Sequence, residues 1–188
     1  MSAVVDLQGF SKPSKSFVVK ELAILCDGIV KPLTFTFAPP FPWHDLPPEY
    51  KRRNAWVERH YTGIKWNSGT IPYKRTEEIL YSHVRDIEVI YVKGREKVNW
   101  LRTYLKPYYH VIENLENNYD DDDDDDAISS LRKLTNPCPH HKKKFMSATD
   151  NVIALSQWVA LKTAEEPLCR SLDSLIPQYW TSGSVDIS

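Results

Sequence analysis

Residues 87–105 read IEVIYVKGREKVNWLRTYL, and this stretch decides the fold class. Its first six residues are nearly all apolar and β-branched or aromatic, which predicts a buried strand over 87–92. Apolar residues then recur at helical spacing, as at Val98 and Leu101, which predicts a helix over about 95–105. A strand followed directly by a helix is typical of an α/β layer with parallel strands.

The residues before this stretch predict an antiparallel meander. Three segments have strand-like apolar patterns: 4–7, 17–25 and 33–37. Asp27-Gly28 supplies a tight turn between the second and the third. A proline-rich loop follows. Pro47-Pro48 then opens a helix predicted over 47–61, and a shorter helix is predicted over 76–84.

The residues after it predict a further strand and a long last helix. The strand is expected at 109–112 and a short helix at 128–134. Ser147 and Asp150 have the spacing of a capping box and start a helix predicted over 147–162. The prediction is an α/β fold: a mixed sheet of about five strands, three antiparallel and then parallel strands, flanked by helices.

Length and composition suit one folded domain with a tail. The chain has 188 residues, of which 41% are hydrophobic and 26% charged, which excludes wholesale disorder. We expect a domain over 1–164 with an acidic loop insertion at 117–127, and a draped or flexible tail over 165–188.

The sequence also predicts where the protein resides. No apolar run approaches the roughly 18 residues of a membrane span, and no signal-peptide pattern opens the chain. Its three cysteines are too scattered for a disulfide framework. We therefore expect an intracellular protein, cytoplasmic or nuclear, with no membrane partner.

Charge is distributed unevenly along the chain. Residues 1–110 carry 17 Lys and Arg against 11 Asp and Glu, whereas residues 111–188 carry 7 against 14. Half of those fourteen acids form one run, Asp120 to Asp126. Such a run repels itself and is typical of a solvated loop. Calcium binding is the alternative, although calcium loops space their ligands and include a glycine turn.

Four segments, in order, resemble motifs of the ribonuclease H-like exonucleases named for their Asp-Glu-Asp-Asp-His site. The resemblance covers about residues 3–162 and implies the mixed sheet of that superfamily. The segments are Val4-Val5-Asp6-Leu7-Gln8, His60-Tyr61-Thr62-Gly63-Ile64-Lys65, the stretch from Val92 to Leu101, and Met146-Ser147-Ala148-Thr149-Asp150-Asn151-Val152.

The resemblance also implies a site that has lost its chemistry. Active members bind two divalent metals with four carboxylates and use a histidine base. Asp6 matches the first carboxylate, but Gln8 stands at the second. The other positions match Lys97 (or Glu96 after a shift of one), Met146 for the histidine, and Asn151 with Asp150 beside it.

The resemblance therefore predicts an inactive exonuclease-like protein with no catalytic residues and no catalytic metal. Lys97 is expected to pair with Asp6 where a metal would lie. The alternative is that Asp6 and Lys97 are ordinary polar residues at the edge of a sheet.

One possible metal site is structural. Cys138 and His141 have a Cys-x-x-His spacing, which can supply two zinc ligands. The candidates for the remaining ligands are Cys26, His110, Glu113 and Cys169. Such a site would resemble that of the Maelstrom domain, an exonuclease-like fold in which a Glu-Cys-His-Cys metal set replaces the catalytic carboxylates. The alternative is a basic surface loop, since three lysines follow at 142–144.

Aromatic and basic residues are mixed over residues 43–75, as in proteins that hold single strands by stacking and charge. The predicted nucleic-acid-binding residues are Lys51, Arg52, Arg53, Arg59, Lys65, Trp66, Lys74 and Arg75. The competing interpretation places most of the rings in the core, above all Trp56 and Tyr61. Single-stranded nucleic acid, RNA in particular, is the expected partner. The alternative function is protein interaction or homo-oligomerisation.

Overall fold

The computed structural model describes residues 1–13, 16–105, 110–116 and 146–173. Within them, a five-stranded mixed sheet is flanked by four α-helices, which confirms the predicted fold class. The strands are β1 (Ser2–Lys12), β2 (Ser16–Cys26), β3 (Leu33–Thr36), β4 (Val89–Val92) and β5 (Val111–Asn114). The α-helices are α1 (Pro48–Val57), α2 (Thr76–Val84), α3 (Arg95–Leu105) and α4 (Ala148–Asp173).

The strand order across the sheet is β3-β2-β1-β4-β5. The first three strands pair antiparallel, whereas β4 pairs parallel with both β1 and β5. The crossover from the meander to β4 carries α1 and α2, and α3 connects β4 to β5. Strand β1 is therefore central and joins the two halves of the sheet.

Both faces of β1 are covered. Its residues 3–11 are all buried, as expected of a central strand in an α/β layer. Val5 and Leu7 belong to a hydrophobic core that includes Leu80 of α2 and Leu101 of α3. Because side chains alternate along a strand, Asp6 lies on the opposite face.

An irregularity follows at Gln8 and Gly9. The register between β1 and β2 shifts there by one residue, as in a β-bulge. A Cβ at Gly9 would lie 1.9 Å from the carbonyl oxygen of Val18. Only glycine fits this close approach of the two backbones.

The capping box predicted for the last helix is confirmed. Ser147 Oγ donates to the Asp150 carboxylate at 2.7 Å, and the Asp150 N–H donates to Ser147 Oγ at 3.0 Å. Buried Glu21 of β2 accepts a hydrogen bond from the Ala148 N–H at 2.8 Å. The carboxylate thus holds the helix start, where the helix dipole favours negative charge.

Helix α4 is longer than predicted. It continues beyond residue 162 to Asp173; Ala164, Glu165 and Glu166 favour helix, whereas Pro167, which also lies within it, does not. The structure separates two compact units, Met1–Ser156 and Gln157–Ser188. The first contains the sheet, and the described part of the second is helical.

Some predicted features lie outside the described residues. They are the acidic loop at 117–127, the short helix at 128–134, Cys138 with His141, and the tail beyond 173. Over the ranges that are described, no helix combines the length and apolar character needed to cross a membrane.

Candidate functional site

A cleft of about 650 Å³ opens on the Asp6 face of the sheet. One wall is the start of α3 with the loop before it, and the other is the end of α1 with the turn after it. The first turns of α4 also line the cleft, through Asn151, Ala154 and Leu155. The carboxyl ends of strands in open α/β sheets are where such folds place their sites.

Asp6 lies at the floor of the cleft, and both oxygens of its carboxylate are engaged. Lys97 Nζ forms an ion pair with Oδ1, which confirms the predicted pair. Asn151 Nδ2 donates to Oδ2 at 2.7 Å. The exposed fractions are 1% for the Asp6 side chain and 25% for that of Lys97, so the carboxylate depends on these donors and not on water.

Gln8 and Met146 also meet in the cleft. Gln8 Nε2 donates to the Met146 carbonyl oxygen at 2.9 Å, although 138 residues separate the two. Both residues line the cleft beside Asp6, Lys97 and Asn151. The structure therefore brings together five positions that the motif comparison singled out from three distant parts of the sequence.

The two alternative matches have other places. Asp150 is bound to Ser147 in the capping box and does not line the cleft. Glu96 is exposed on α3 and lines the cleft, but Lys97 is the residue that contacts Asp6. Lys97, and not Glu96, is therefore the residue at the floor that corresponds to the second-motif carboxylate.

The donors at the floor do not fit the two divalent metals that the exonuclease resemblance implies. Hard cations need several carboxylate or carbonyl oxygens. Among the residues that the structure describes, Asp6 is the one carboxylate at the floor, and an ammonium and an amide N–H already occupy its two oxygens. Across residues 1–13, 16–105, 110–116 and 146–173, no group of three or more His, Cys, Asp or Glu could hold a metal ion.

Most of the predicted nucleic-acid-binding residues are exposed, but few of them lie at the cleft. Arg52, Arg53, Arg59, Lys65, Lys74 and Arg75 are exposed, and Arg53 lines the cleft. Arg75 forms an ion pair with Glu78 at 3.0 Å, and Lys51 Nζ donates to the His44 carbonyl oxygen at 2.8 Å. Arg53 is therefore the predicted cation that belongs to the cleft itself.

Trp66 was predicted to contact nucleic acid, and the structure corrects this. Its side chain is 3% exposed and packs against Phe10, Phe41 and Trp43, with ring centroids 5.4 to 5.6 Å apart. Its indole N–H donates to the Phe41 carbonyl oxygen at 3.1 Å. With its polar atom satisfied inside the protein, Trp66 is a core residue.

The opposite correction applies to Trp56 and Tyr61, which were expected in the core. They are 57% and 70% exposed. Asn54 is the residue of α1 that faces β1, so Trp56, two positions further, points to solvent. A π-helical turn at Glu58–Thr62 then shifts the helix phase by one residue, so that Thr62 is buried where a regular helix would bury Tyr61.

Trp56 and Tyr61 are part of a surface that we call the aromatic wall, together with Arg53 and His60. The His60 ring stacks on Trp56 with centroids 5.2 Å apart, and His60 Nδ1 donates to the Trp56 carbonyl oxygen at 3.0 Å. Gly63, with φ +71°, closes the turn in the left-handed region. Arg53, His60 and Tyr61 line the cleft, so the wall continues into it.

The sequence patterns did not indicate the opposite wall of the cleft. Lys93 and Arg95, which flank Gly94 between β4 and α3, line the cleft. The available signal was topological, because the residues after a parallel strand lie at the edge of the sheet where sites form. Together with Arg53 they give the cleft three cations beyond Lys97, and Glu96 and Glu116 also line it.

Comparison with known proteins gives this chain no family. No family model matches it, and a search of curated proteins finds no match. The cleft and the aromatic wall are therefore the features from which a function can be inferred.

Proposed function

We propose that the protein is a catalytically inactive exonuclease-like module that binds single-stranded nucleic acid in the cleft and on the aromatic wall. The strand order with β1 central, and the meeting of Asp6, Gln8, Lys97, Met146 and Asn151 in one cleft, support the ancestry.

The floor supports binding without cleavage. A two-metal reaction needs clustered carboxylates to hold the ions that activate water and stabilise the leaving oxygen. Here Lys97 neutralises the carboxylate of Asp6 at the floor. Met146 stands at the position of the motif histidine and cannot take a proton. A strand that enters the cleft therefore meets neither the metal pair nor the histidine base of the exonuclease motifs.

The observation that carries the binding proposal is the exposed Trp56–His60 stack with Tyr61, beside Arg53 at the cleft. Bases stack on exposed tryptophan and tyrosine rings whatever the nucleotide sequence. Arg53 and Arg95 on facing walls supply positive charge for the phosphates. Rings and cations on one cleft match the chemistry of a single strand.

Fluorescence anisotropy with a labelled single-stranded RNA tests the binding. Trp56→Ala should weaken the affinity at least about fivefold, the lower range for one stacked base. Arg53→Gln should also weaken it, whereas Arg102→Gln, an exposed arginine of α3 outside the cleft, should not. Equal affinities for all four proteins would refute the assignment of this surface.

A cleavage assay tests the inactive state separately. The protein with Mg²⁺ or Mn²⁺ should leave single- and double-stranded DNA and RNA intact. Gln8→Glu should not restore activity, because Lys97 and Asn151 still occupy Asp6. Metal-dependent cleavage that is lost in Asp6→Ala would overturn this part of the proposal.

A second candidate, a protein-interaction or homo-oligomerisation module, rests on a different surface. Strand β3 is an edge of the sheet. Ile29 and Val30 in the turn before it, and Leu33 at its start, are 57%, 92% and 43% exposed. An apolar edge strand can pair with another chain. A concentration-dependent mass that falls on Val30→Asp, with no RNA binding at any salt, would favour this candidate.

A further inference from the structure

Gln8 is buried with one of its two polar atoms unused. The residue is 7% exposed, and its Nε2 is held by the Met146 carbonyl oxygen. In the part of the chain that the structure describes, Gln8 Oε1 is buried and has no hydrogen-bond partner. A buried amide oxygen without a donor is unfavourable, so this atom marks a place where a ligand donor would be stabilised.

The chemistry of that donor is restricted. The Gln8 amide cannot turn over without losing its bond to Met146, so the free atom is an acceptor and needs an N–H or O–H group. Phosphate oxygens at neutral pH only accept, and deoxyribose has no hydroxyl within a strand. The ribose 2′-hydroxyl is the backbone group of nucleic acid that can donate.

Asp6 and the arginines near Gln8 cannot accept the hydrogen bond from a 2′-hydroxyl, so Gln8 is the acceptor at the floor. Asp6, two residues earlier on β1, has both carboxylate oxygens bound by Lys97 and Asn151. Arg53 and Arg95 stand on the two walls, where they attract the phosphates on either side of a sugar. A sugar lying between two phosphates held by these walls would be over the floor that contains Gln8.

We propose that Gln8 is a specificity-determining residue that accepts a hydrogen bond from a ribose 2′-hydroxyl, so that the cleft binds RNA in preference to DNA. This inference rests on the proposed binding function and names its substrate class. Gln8 lines the cleft but its oxygen is shielded from solvent, so a lining side chain must shift to admit the hydroxyl. Half-buried Met146, unbranched and adaptable, is the neighbour best able to do so.

The unmodified protein provides the first test. Anisotropy is measured with three oligonucleotides of one sequence: RNA, 2′-fluoro RNA and DNA. The fluoro sugar keeps an RNA-like pucker and has no donor, so it isolates the hydroxyl. RNA should bind about three- to tenfold more tightly than 2′-fluoro RNA, the size expected of one neutral hydrogen bond.

Two variants then assign the preference to Gln8. Gln8→Met has nearly the same shape but no acceptor, and it should bind RNA and 2′-fluoro RNA equally. Gln8→Glu keeps an acceptor, and the ratio should persist even if its charge weakens both affinities. Because the ratio compares two ligands on one protein, a partial loss of folded protein does not alter it.

The possible outcomes separate this inference from the proposed function. Equal binding of RNA and 2′-fluoro RNA by the unmodified protein would overturn the inference and leave the binding function standing. A preference that survives in Gln8→Met would place the ribose contact elsewhere and overturn the role of Gln8. Failure to bind any of the three oligonucleotides at low salt would refute the proposed function itself.

Discussion

Asp6 is a charged residue with almost no exposure to water, so its contribution to stability depends on the side chains that bind it. Removing the partner of a buried ion pair leaves a charge without compensation, which costs more than the pair itself contributes. Replacing both partners removes that charge altogether. A variant that removes Lys97 alone, compared with one that removes both charges, therefore separates the two effects.

Lys97→Met should lower the free energy of unfolding by about 3–5 kcal/mol. The double variant Asp6→Asn with Lys97→Met should recover most of that loss, measured by urea unfolding. Arg75→Met serves as a control, since its pair with Glu78 is exposed and should contribute little. A double variant as unstable as Lys97→Met would show that packing, not charge, sets the cost.

Lys20 is a second buried charge, 1% exposed within β2. Its Nζ donates to the Phe37 and Ser68 carbonyl oxygens at 2.5 and 2.6 Å, so it ties the strand to two loops. Burial lowers the pKa of Lys20 from 10.5 to about 8. Between these two pH values the unfolded chain binds more protons than the folded protein does, so stability should rise with pH across this window.

The free energy of unfolding of the unmodified protein, minus that of Lys20→Met, should therefore increase by up to about 3 kcal/mol between pH 7.5 and pH 10.5. Using the difference cancels other groups that titrate in this range. Lys31→Met is the matched control, because Lys31 is exposed in the turn between β2 and β3. A difference that is flat or falls with pH would contradict the burial argument.

At the scale of elements, Asn54 fixes α1 against the end of β1. Its Oδ1 accepts from the Ser11 N–H and hydroxyl, both at 3.2 Å, and its Nδ2 donates to the Ser11 carbonyl oxygen at 2.9 Å. The side chain thus acts as one more rung of β-sheet pairing. It also sets which face of α1 points to solvent, and with it the aromatic wall.

Asn54→Ala should destabilise the protein by about 2–4 kcal/mol, because it leaves buried Ser11 backbone groups without partners. Asn99→Ala, at an exposed position of α3, should change stability by less than about 0.5 kcal/mol. If Asn54→Ala costs no more than Asn99→Ala in urea unfolding, these hydrogen bonds do not anchor α1.

The strands and helices were easier to predict from the sequence than which side chains of α1 face solvent. The alternation and apolar runs of β1 to β5 depend on short-range sequence patterns, so the mixed sheet was predictable. The fate of Trp56, Tyr61 and Trp66 depended on a buried Asn54, on a π-helical turn and on a carbonyl group in a distant loop. Those tertiary determinants have no local signature. Lys93 and Arg95 were missed because only the topology brings them to the cleft.

At the scale of the whole molecule, the charge asymmetry predicts how binding depends on salt. If about four cations neutralise phosphates of a single strand, log K should fall with log salt at a slope near −3, at roughly −0.7 per contact. Arg53→Gln and Arg95→Gln should each reduce the slope by about 0.7. Arg102→Gln should leave it unchanged.

The acidic run adds a second charge to this balance. Asp120 follows Glu116, which lines the cleft, by four residues, so the run begins no more than about 14 Å of chain from it. That span is close to the Debye length of about 10 Å at 0.1 M salt.

Replacing Asp120–Asp126 with seven serines should tighten RNA binding at low salt, because negative charge that opposes the strand is removed. The gain should shrink as salt rises and screens the run, and anisotropy from about 0.03 to 0.3 M salt measures both effects. An affinity unchanged at low salt would show that the run lies too far from the strand to act on it, and that the walls of the cleft alone set the electrostatics of binding.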